Sequence, residues 1–176
     1  MRNVTAIAAL VLSAAATPAA AMTPGQAKCP ASLASAGLAA TAAENVLNFD
    51  EAVGTDPKLE AALDQLAKAC FAREHVTKDK QNDYTRYVST ALIYAELKRR
   101  LGVKSISTKV IDDAFDIGPG RRNPKSADLD DVAFNKALAK MKQGGVDIKK
   151  LSDQALSELG AYVVSAGDMY RLAAIL

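Results

Sequence analysis

The side chains able to do chemistry are few. His75 is the single histidine of the 176-residue chain and sits beside Glu74. It offers a general base or one ligand to a haem or metal, with Met141 or Met169 as a conceivable second haem ligand. One histidine rules out a histidine-rich metal site, and no cysteine pair precedes it as a c-type haem needs. A Ser-His-acid triad would have only His75 to use. The plainer reading is an imidazole near a helix end, interacting with the helix dipole.

The carboxylates point to no cofactor. Asp112 and Asp116 share a helical face and suit weak cation binding or pairing with Arg121 or Arg122. Twelve-residue windows from Asp112 or Asp128 lack the glycine and glutamate of an EF-hand loop. Asp128, Asp130 and Asp131 read better as negative charge in the first turn of a helix. Neither a metal site nor a bound cofactor is expected. Glu44, Glu60, Glu74, Glu96 and Glu158 are open to pairing as the acid and base of a glycan hydrolase, and the sequence singles out none of them. Nucleophile-elbow, phosphate-loop and dinucleotide signatures are missing.

Two features suit recognition rather than catalysis. Gly118-Pro119-Gly120-Arg121-Arg122-Asn123-Pro124 cannot be regular structure and predicts an irregular exposed loop over 118–125. Arg121 and Arg122 on such a turn can fork to carboxylate or phosphate groups; alternatively they pair with the flanking aspartates. Tyr84, Tyr87, Tyr94 and Tyr170 can line a pocket with His75, their hydroxyls serving as polar contacts. Tyrosines at helical spacing otherwise fill a core, with the hydroxyl reaching outward. The chain ends on Leu172-Ala173-Ala174-Ile175-Leu176, an apolar tail suited to docking on its own core or to capture by a partner that reads C-termini.

Cys29 and Cys70 are the only cysteines. In an oxidising compartment one bridge between them is the economical reading, closing a loop worth about 4 kcal/mol in the chain-entropy account. The alternative is two unpaired thiols, with Cys70 buried as a small apolar group.

The compartment follows from the first residues. Arg2, the apolar run Val4–Ala16, Pro18 and the small residues Ala19-Ala20-Ala21 have the order of a secretory signal over 1–21. The rival is an uncleaved anchor, although the run is shorter than the roughly 20 apolar residues a span needs. Lys28 ahead of Cys29 argues against a lipoprotein signal. Loss of Arg2 leaves a nearly neutral chain, with no general pull on nucleic acid or anionic membrane. The expected location is the periplasm or the medium, with no stable span after cleavage.

The elements that must position these residues read as helices. Tyr84–Leu101 carries Tyr84, Val88, Ala91 and Ala95 at helical steps, widened by Tyr87, Leu92 and Tyr94. Arg86, Glu96, Lys98, Arg99 and Arg100 fall off that stripe, and Gly102 serves as the stop. A lead-in over 22–29 is expected to be flexible, with a first helix from Pro30 carrying Leu33, Ala36, Ala40, Ala43 and Leu47. Phe49 and Val53 extend its packing. Asp56-Pro57 starts a second helix, with Leu59, Leu63, Leu66 and Cys70 inward, ending near Val76. Ser107 caps a short helix, Ser126 or Asp128 starts another, and Gly144-Gly145 ends it. The last helix carries Leu156, Leu159, Val163, Ala166, Tyr170 and Ala173, with Gly160 and Gly167 as weak points or close contacts with another helix. The prediction is all-α: one compact, bundle-like domain of five to seven helices over 30–176.

Such a chain is expected to be a non-enzymatic exported protein that binds another envelope or extracellular macromolecule, either a protein or an anionic component. The alternative is a small-ligand carrier or hydrolase, with its site between helices near His75 and the tyrosines.

Overall fold

The structure, a computed structural model, describes residues 22–50, 52 and 54–176. The leader expected over 1–21 and the packing role expected of Val53 lie outside the described residues. Among these residues there are seven α-helices and no strand: α1 (Pro24–Leu33), α2 (Ala36–Leu47), α3 (Pro57–Glu74), α4 (Gln81–Val103), α5 (Thr108–Phe115), α6 (Asp131–Gln143) and α7 (Asp153–Ile175). Single 3-10 turns at Ser126–Asp128 and Ile148–Lys150 precede α6 and α7.

The lead-in expected over 22–29 is corrected to helix. Thr23 accepts from the Gln26 amide while the Gln26 side chain accepts from the Thr23 amide, and Pro24 takes the first turn. That reciprocal cap satisfies two otherwise orphaned donors. The single helix expected from Pro30 to Leu47 is two. Ala34 adopts an extended backbone, and Ser35 restarts the chain by accepting from the Leu38 amide. Asp56-Pro57 starts α3 as expected, and Ser107 caps α5. The second helix ends at Glu74, short of Val76, because His75 turns left-handed at φ 51°.

The antiparallel pair α4–α7 is the spine. The first half of α4 shares a core with the last turns of α7 through Tyr84, Val88, Met169, Leu172 and Leu176. Its second half meets the first half of α7 through Leu97, Leu101, Leu159, Tyr162 and Val163. The apolar tail is therefore docked, with Leu172 and Leu176 buried and the Lys80 ammonium on the Leu176 carbonyl. Buried Ala42 and Ala43 let α2 lie close on α4.

The stripe expected on α4 needs two changes. Ala95 is exposed, and Leu92, Leu97 and Leu101 carry the inner face instead. Glu96, expected on the outer face, is only 7% exposed, held there by Arg99 and Arg100. Gly102 does not stop α4: the helix passes through it, and Ser105 makes the left-handed turn at φ 57°. Along α6, Val132 and Phe134 are 77% and 42% exposed, so the buried contacts fall to Ala137 and Met141. Leu156 of α7 is likewise exposed. No helix among the described residues is long and apolar enough to cross a membrane.

Candidate functional site

The tyrosines form parts of two cores. Tyr84 donates to the Gln26 carbonyl at 2.6 Å and Tyr87 to the Ala27 carbonyl at 3.1 Å, both in α1. Burial raises both hydroxyls, Tyr87 to about 12, so they are neutral donors at any physiological pH. Further along α4, the Tyr94 ring stacks on Tyr162 with centroids 5.4 Å apart, and Tyr170 meets it edge-on at 6.1 Å. Tyr162 donates to Asp112 at 2.8 Å, and Lys98 donates to the Tyr94 oxygen at 3.1 Å. Burial raises the Tyr162 and Tyr170 hydroxyls as well, and it raises Asp112.

His75 is apart from all of them, exposed at the end of α3. The pocket expected from His75, Tyr84, Tyr87, Tyr94 and Tyr170 is therefore not assembled. Tyr84 and Tyr87 face α1, Tyr94 and Tyr170 pack against both cores, and their faces are filled by ring and helix contacts. Tyr162, which the sequence reading passed over as a site residue, completes the second cluster; its four-residue spacing from Ala166 and eight-residue spacing from Tyr170 were the available signal.

The loop after α5 is also more closed than expected. Gly118 and Asn123 are buried. The Asn123 amide donates to the carbonyls of Gly118 and Arg121 at 2.9 Å each, and its oxygen accepts from the Gly118 amide at 2.7 Å. Arg171 of α7 reaches the Asn123 and Pro124 carbonyls at 2.8 and 2.9 Å. The close contact made by Gly167 is with this loop and not with another helix. A Cβ there would stand 2.8 Å from the Pro124 oxygen, whereas one at Gly160 would meet open space. Pro119, Gly120, Arg121 and Arg122 remain exposed. Arg121 is held by Asp113 at 2.6 Å and by the Asp112 carbonyl, while Arg122 stands 4.0 Å from Asp116. The alternative weighed for these arginines, pairing with flanking aspartates, is the arrangement present.

Four of the five glutamates considered for hydrolysis are in ion pairs. Glu96 takes Arg99 and Arg100, and Arg100 also reaches Glu44. Hydrogen bonds from Arg99 and then Arg100 outweigh desolvation and lower Glu96 to about 2. Glu158, 1% exposed, takes the Lys104 ammonium and the Gln154 amide. Glu74 pairs with Arg73 at 3.0 Å. Glu60 alone faces open space, in a groove of about 750 Å³.

In that groove polar side chains from four helices converge. Helices α2 and α3 both lean on α4. The floor is apolar: Ala42, Leu59, Leu63, Ile93 and Leu172. One wall carries Glu60 and Asp64, one turn apart on α3. The opposite side carries Thr85, Arg86, Ser89 and Thr90 of α4, with Asp168 of α7, and Asn45 and Val46 of α2 close the end. Sequence reasoning passed over it. The signal present was the run of hydroxyls opposite the Tyr84–Val88 stripe and the Glu60/Asp64 spacing of four. Among the described residues no three His, Cys, Asp or Glu side chains are grouped to hold a metal.

Cys29 and Cys70 form the expected disulfide, fully buried, with Cα atoms 5.9 Å apart. It pins α1 to α3 beside the α1 carbonyls that Tyr84 and Tyr87 use. Set against family models, characterised proteins and solved structures, the chain matches none.

Proposed function

We propose that the protein is exported and acts by binding another macromolecule of the envelope or the extracellular space, without a reaction of its own. The carrying observation is how its polar groups are spent. The Tyr84, Tyr87 and Tyr162 hydroxyls and the buried Glu158 tie one element to another, and Glu96 is held by Arg99 and Arg100 of its own helix. Groups so engaged are poor acids, bases or nucleophiles, because using them would break the packing they support. What remains on the surface is a groove and a rigid arginine turn, features suited to recognition. The buried disulfide and the apolar leader both suit an oxidising location outside the cytoplasm.

Capture from envelope extract tests this reading. The oxidised protein should retain a partner macromolecule through washing, and intact mass should show a chain beginning at Met22. Retention of nothing above a matched helical control, or a chain kept in the cytosol with its first residues intact, would overturn it. Replacing Arg122 with glutamate asks whether the turn takes part; unchanged capture would remove the turn from the contact.

A second reading, a small-ligand carrier, is favoured by the groove, whose volume lies in the range of sites for drug-sized molecules, about 300–1,000 Å³. Its place is between α2, α3 and α4, away from His75.

A further inference from the structure

The groove between α2, α3, α4 and α7 has a one-sided hydrogen-bonding character. The hydroxyls on its α4 wall have spent their protons inside the helix. Thr85 donates to the Gln81 carbonyl at 3.0 Å, Ser89 to the Thr85 carbonyl at 3.3 Å and Thr90 to the Arg86 carbonyl at 3.0 Å. Each hydroxyl has one proton and two lone pairs, so toward the groove these oxygens can only accept. The carboxylates of Glu60, Asp64 and Asp168 can also only accept. Asp64 is shared with the exposed Lys68 and Asp168 with Arg171, while Glu60 has no ion pair among the described residues. The side-chain donors are fewer: Arg86, 3.5 Å from Asp83, the Asn45 amide and the Thr55 hydroxyl.

A wall of acceptors over an apolar floor is complementary to a ligand rich in donors and carrying positive charge on an apolar stem. Lysine and arginine side chains have that construction, with methylenes for Leu59, Ile93 and Leu172 and a cationic head for the carboxylates. The α4 wall from Thr85 to Ile93 is two turns long, about 12 Å at the helical rise. An extended chain covers that length in about four residues. Exposed Val46 and Pro57 at the rim add apolar surface that a bare polyamine would leave wet. The carbonyls of a peptide would find their donors in Arg86 and Asn45.

We propose that this groove binds an extended segment of a partner protein in which basic and apolar side chains alternate. This rests on the reading of the protein as a binder of macromolecules and names the chemistry of its partner. The attraction is local, since the chain as a whole carries a formal charge of only +2.

The test uses the oxidised protein and a fluorescein-labelled hexapeptide alternating lysine and leucine. Its glutamate–leucine counterpart is the control, and spermidine is the competitor. Anisotropy should show binding of the basic peptide and none of the acidic one. Glu60→Lys with Asp64→Lys, both on the outer side of α3, should weaken binding about tenfold or more, because like charges then face each other. The same charge change at Asp131 and Asp153, away from the groove, should leave it within about twofold. Thr90→Arg, which sets a donor among the acceptors, should also weaken it, and circular dichroism should show each variant folded. Equal binding of the acidic peptide, or folded Glu60/Asp64 and Thr90 variants that bind as the parent does, would overturn the proposal. If spermidine displaces the peptide at equal charge, the site belongs to a small cation and the proposal falls, while the macromolecular reading stands or falls with envelope capture. If the basic peptide fails to bind while envelope capture persists, only the assignment of the groove falls.

Discussion

The two ends of the α4–α7 spine are fastened by different means. At the end where α4 begins and α7 finishes, a covalent bond joins α1 to α3, and two tyrosine hydroxyls of α4 reach the Gln26 and Ala27 carbonyls near the start of α1, the first of them left without a helix donor by Pro30. At the other end there is no cross-link. There the buried carboxylates Glu96 and Glu158 are matched by Arg99, Arg100 and Lys104, and Arg100 also reaches Glu44 of α2. The difference teaches how a short helix is kept. Helix α1 is ten residues long and has few apolar contacts, below the length at which helices persist alone in water. It needs a fastening that survives its own fraying. At the other end α4 and α7, 23 residues each, are already packed on one another, and ion pairs suffice there.

The largest effect is expected from removing the covalent fastening. Reduction, or Cys29→Ser with Cys70→Ser, should lower stability by about 4 kcal/mol. For a domain of this size that is a fall of roughly 10 °C in the calorimetric midpoint. A midpoint within 2 °C of the oxidised protein would mean that the tyrosine contacts and α3 packing hold α1 unaided.

The loop over 118–125, clasped by Arg171 of α7, should respond next. Asn123→Ala removes two donated bonds and one accepted bond from a buried loop, and leaves the Gly118 amide without its partner. A loss of about 2–3 kcal/mol in urea unfolding is expected. Asn123 also sits at φ 49°, where asparagine is better tolerated than alanine. Gly167→Ala should act on the same loop by pushing the Pro124 carbonyl away, costing about 1–3 kcal/mol. If both variants unfold as the parent does, the loop adds nothing to the hold on α7.

How much of this was legible depends on whether a residue's role was local. The caps Asp56 and Ser107, the helix stop at Gly144-Gly145 and the inward row Leu59, Leu63, Leu66 and Cys70 are local, and were readable. The disulfide was an inference from compartment and count, and it holds. What failed were positions whose surroundings are set by distant elements. Glu96 reads as an outer-face charge, yet α2 and the two arginines that follow it enclose the carboxylate. Thr23 and Gln26 form a capping box in a stretch that reads as a tether, because Gly25 and Lys28 obscure its helical spacing. The groove was least legible of all. Its acceptors lie on four helices, and nothing along the chain says that α2 and α3 both lean on α4.

The ion pairs at the uncrosslinked end give that comparison a pH axis. Hydrogen bonds from Arg99 and Arg100 lower Glu96 from 4.5 to about 2 in the folded protein. A carboxylate lowered on folding stabilises fully above its unfolded value and loses that contribution as pH falls through the folded one. Between pH 5 and pH 2 the parent should therefore lose about 2 kcal/mol more than Glu96→Gln, measured by urea midpoints at each pH. Asp112 acts in the opposite sense: burial raises it, so its contribution is present at low pH and shrinks as pH rises past its unfolded value. Asp112→Asn should then steepen the loss on acidification. A Glu96→Gln variant with the parent's acid slope would mean that Glu96 is as well solvated folded as unfolded.

The smallest effect sharpens the comparison most. Tyr84→Phe and Tyr87→Phe each remove one hydrogen bond to an α1 carbonyl and keep the ring, whose contacts with Phe71 and with each other lie at 5.9 and 5.7 Å. Each should cost about 1 kcal/mol in the oxidised protein. In the Cys29→Ser/Cys70→Ser background the same changes should cost much less, because α1 is then free to leave before the rest unfolds and its carbonyls can turn to water. The coupling in that double-mutant cycle measures how far the hydroxyls depend on the cross-link. Strict additivity would mean that the tyrosines hold α1 in place whether or not the bridge is closed. The covalent bond would then serve only to limit the unfolded chain, and the two ends of the spine would be fastened alike.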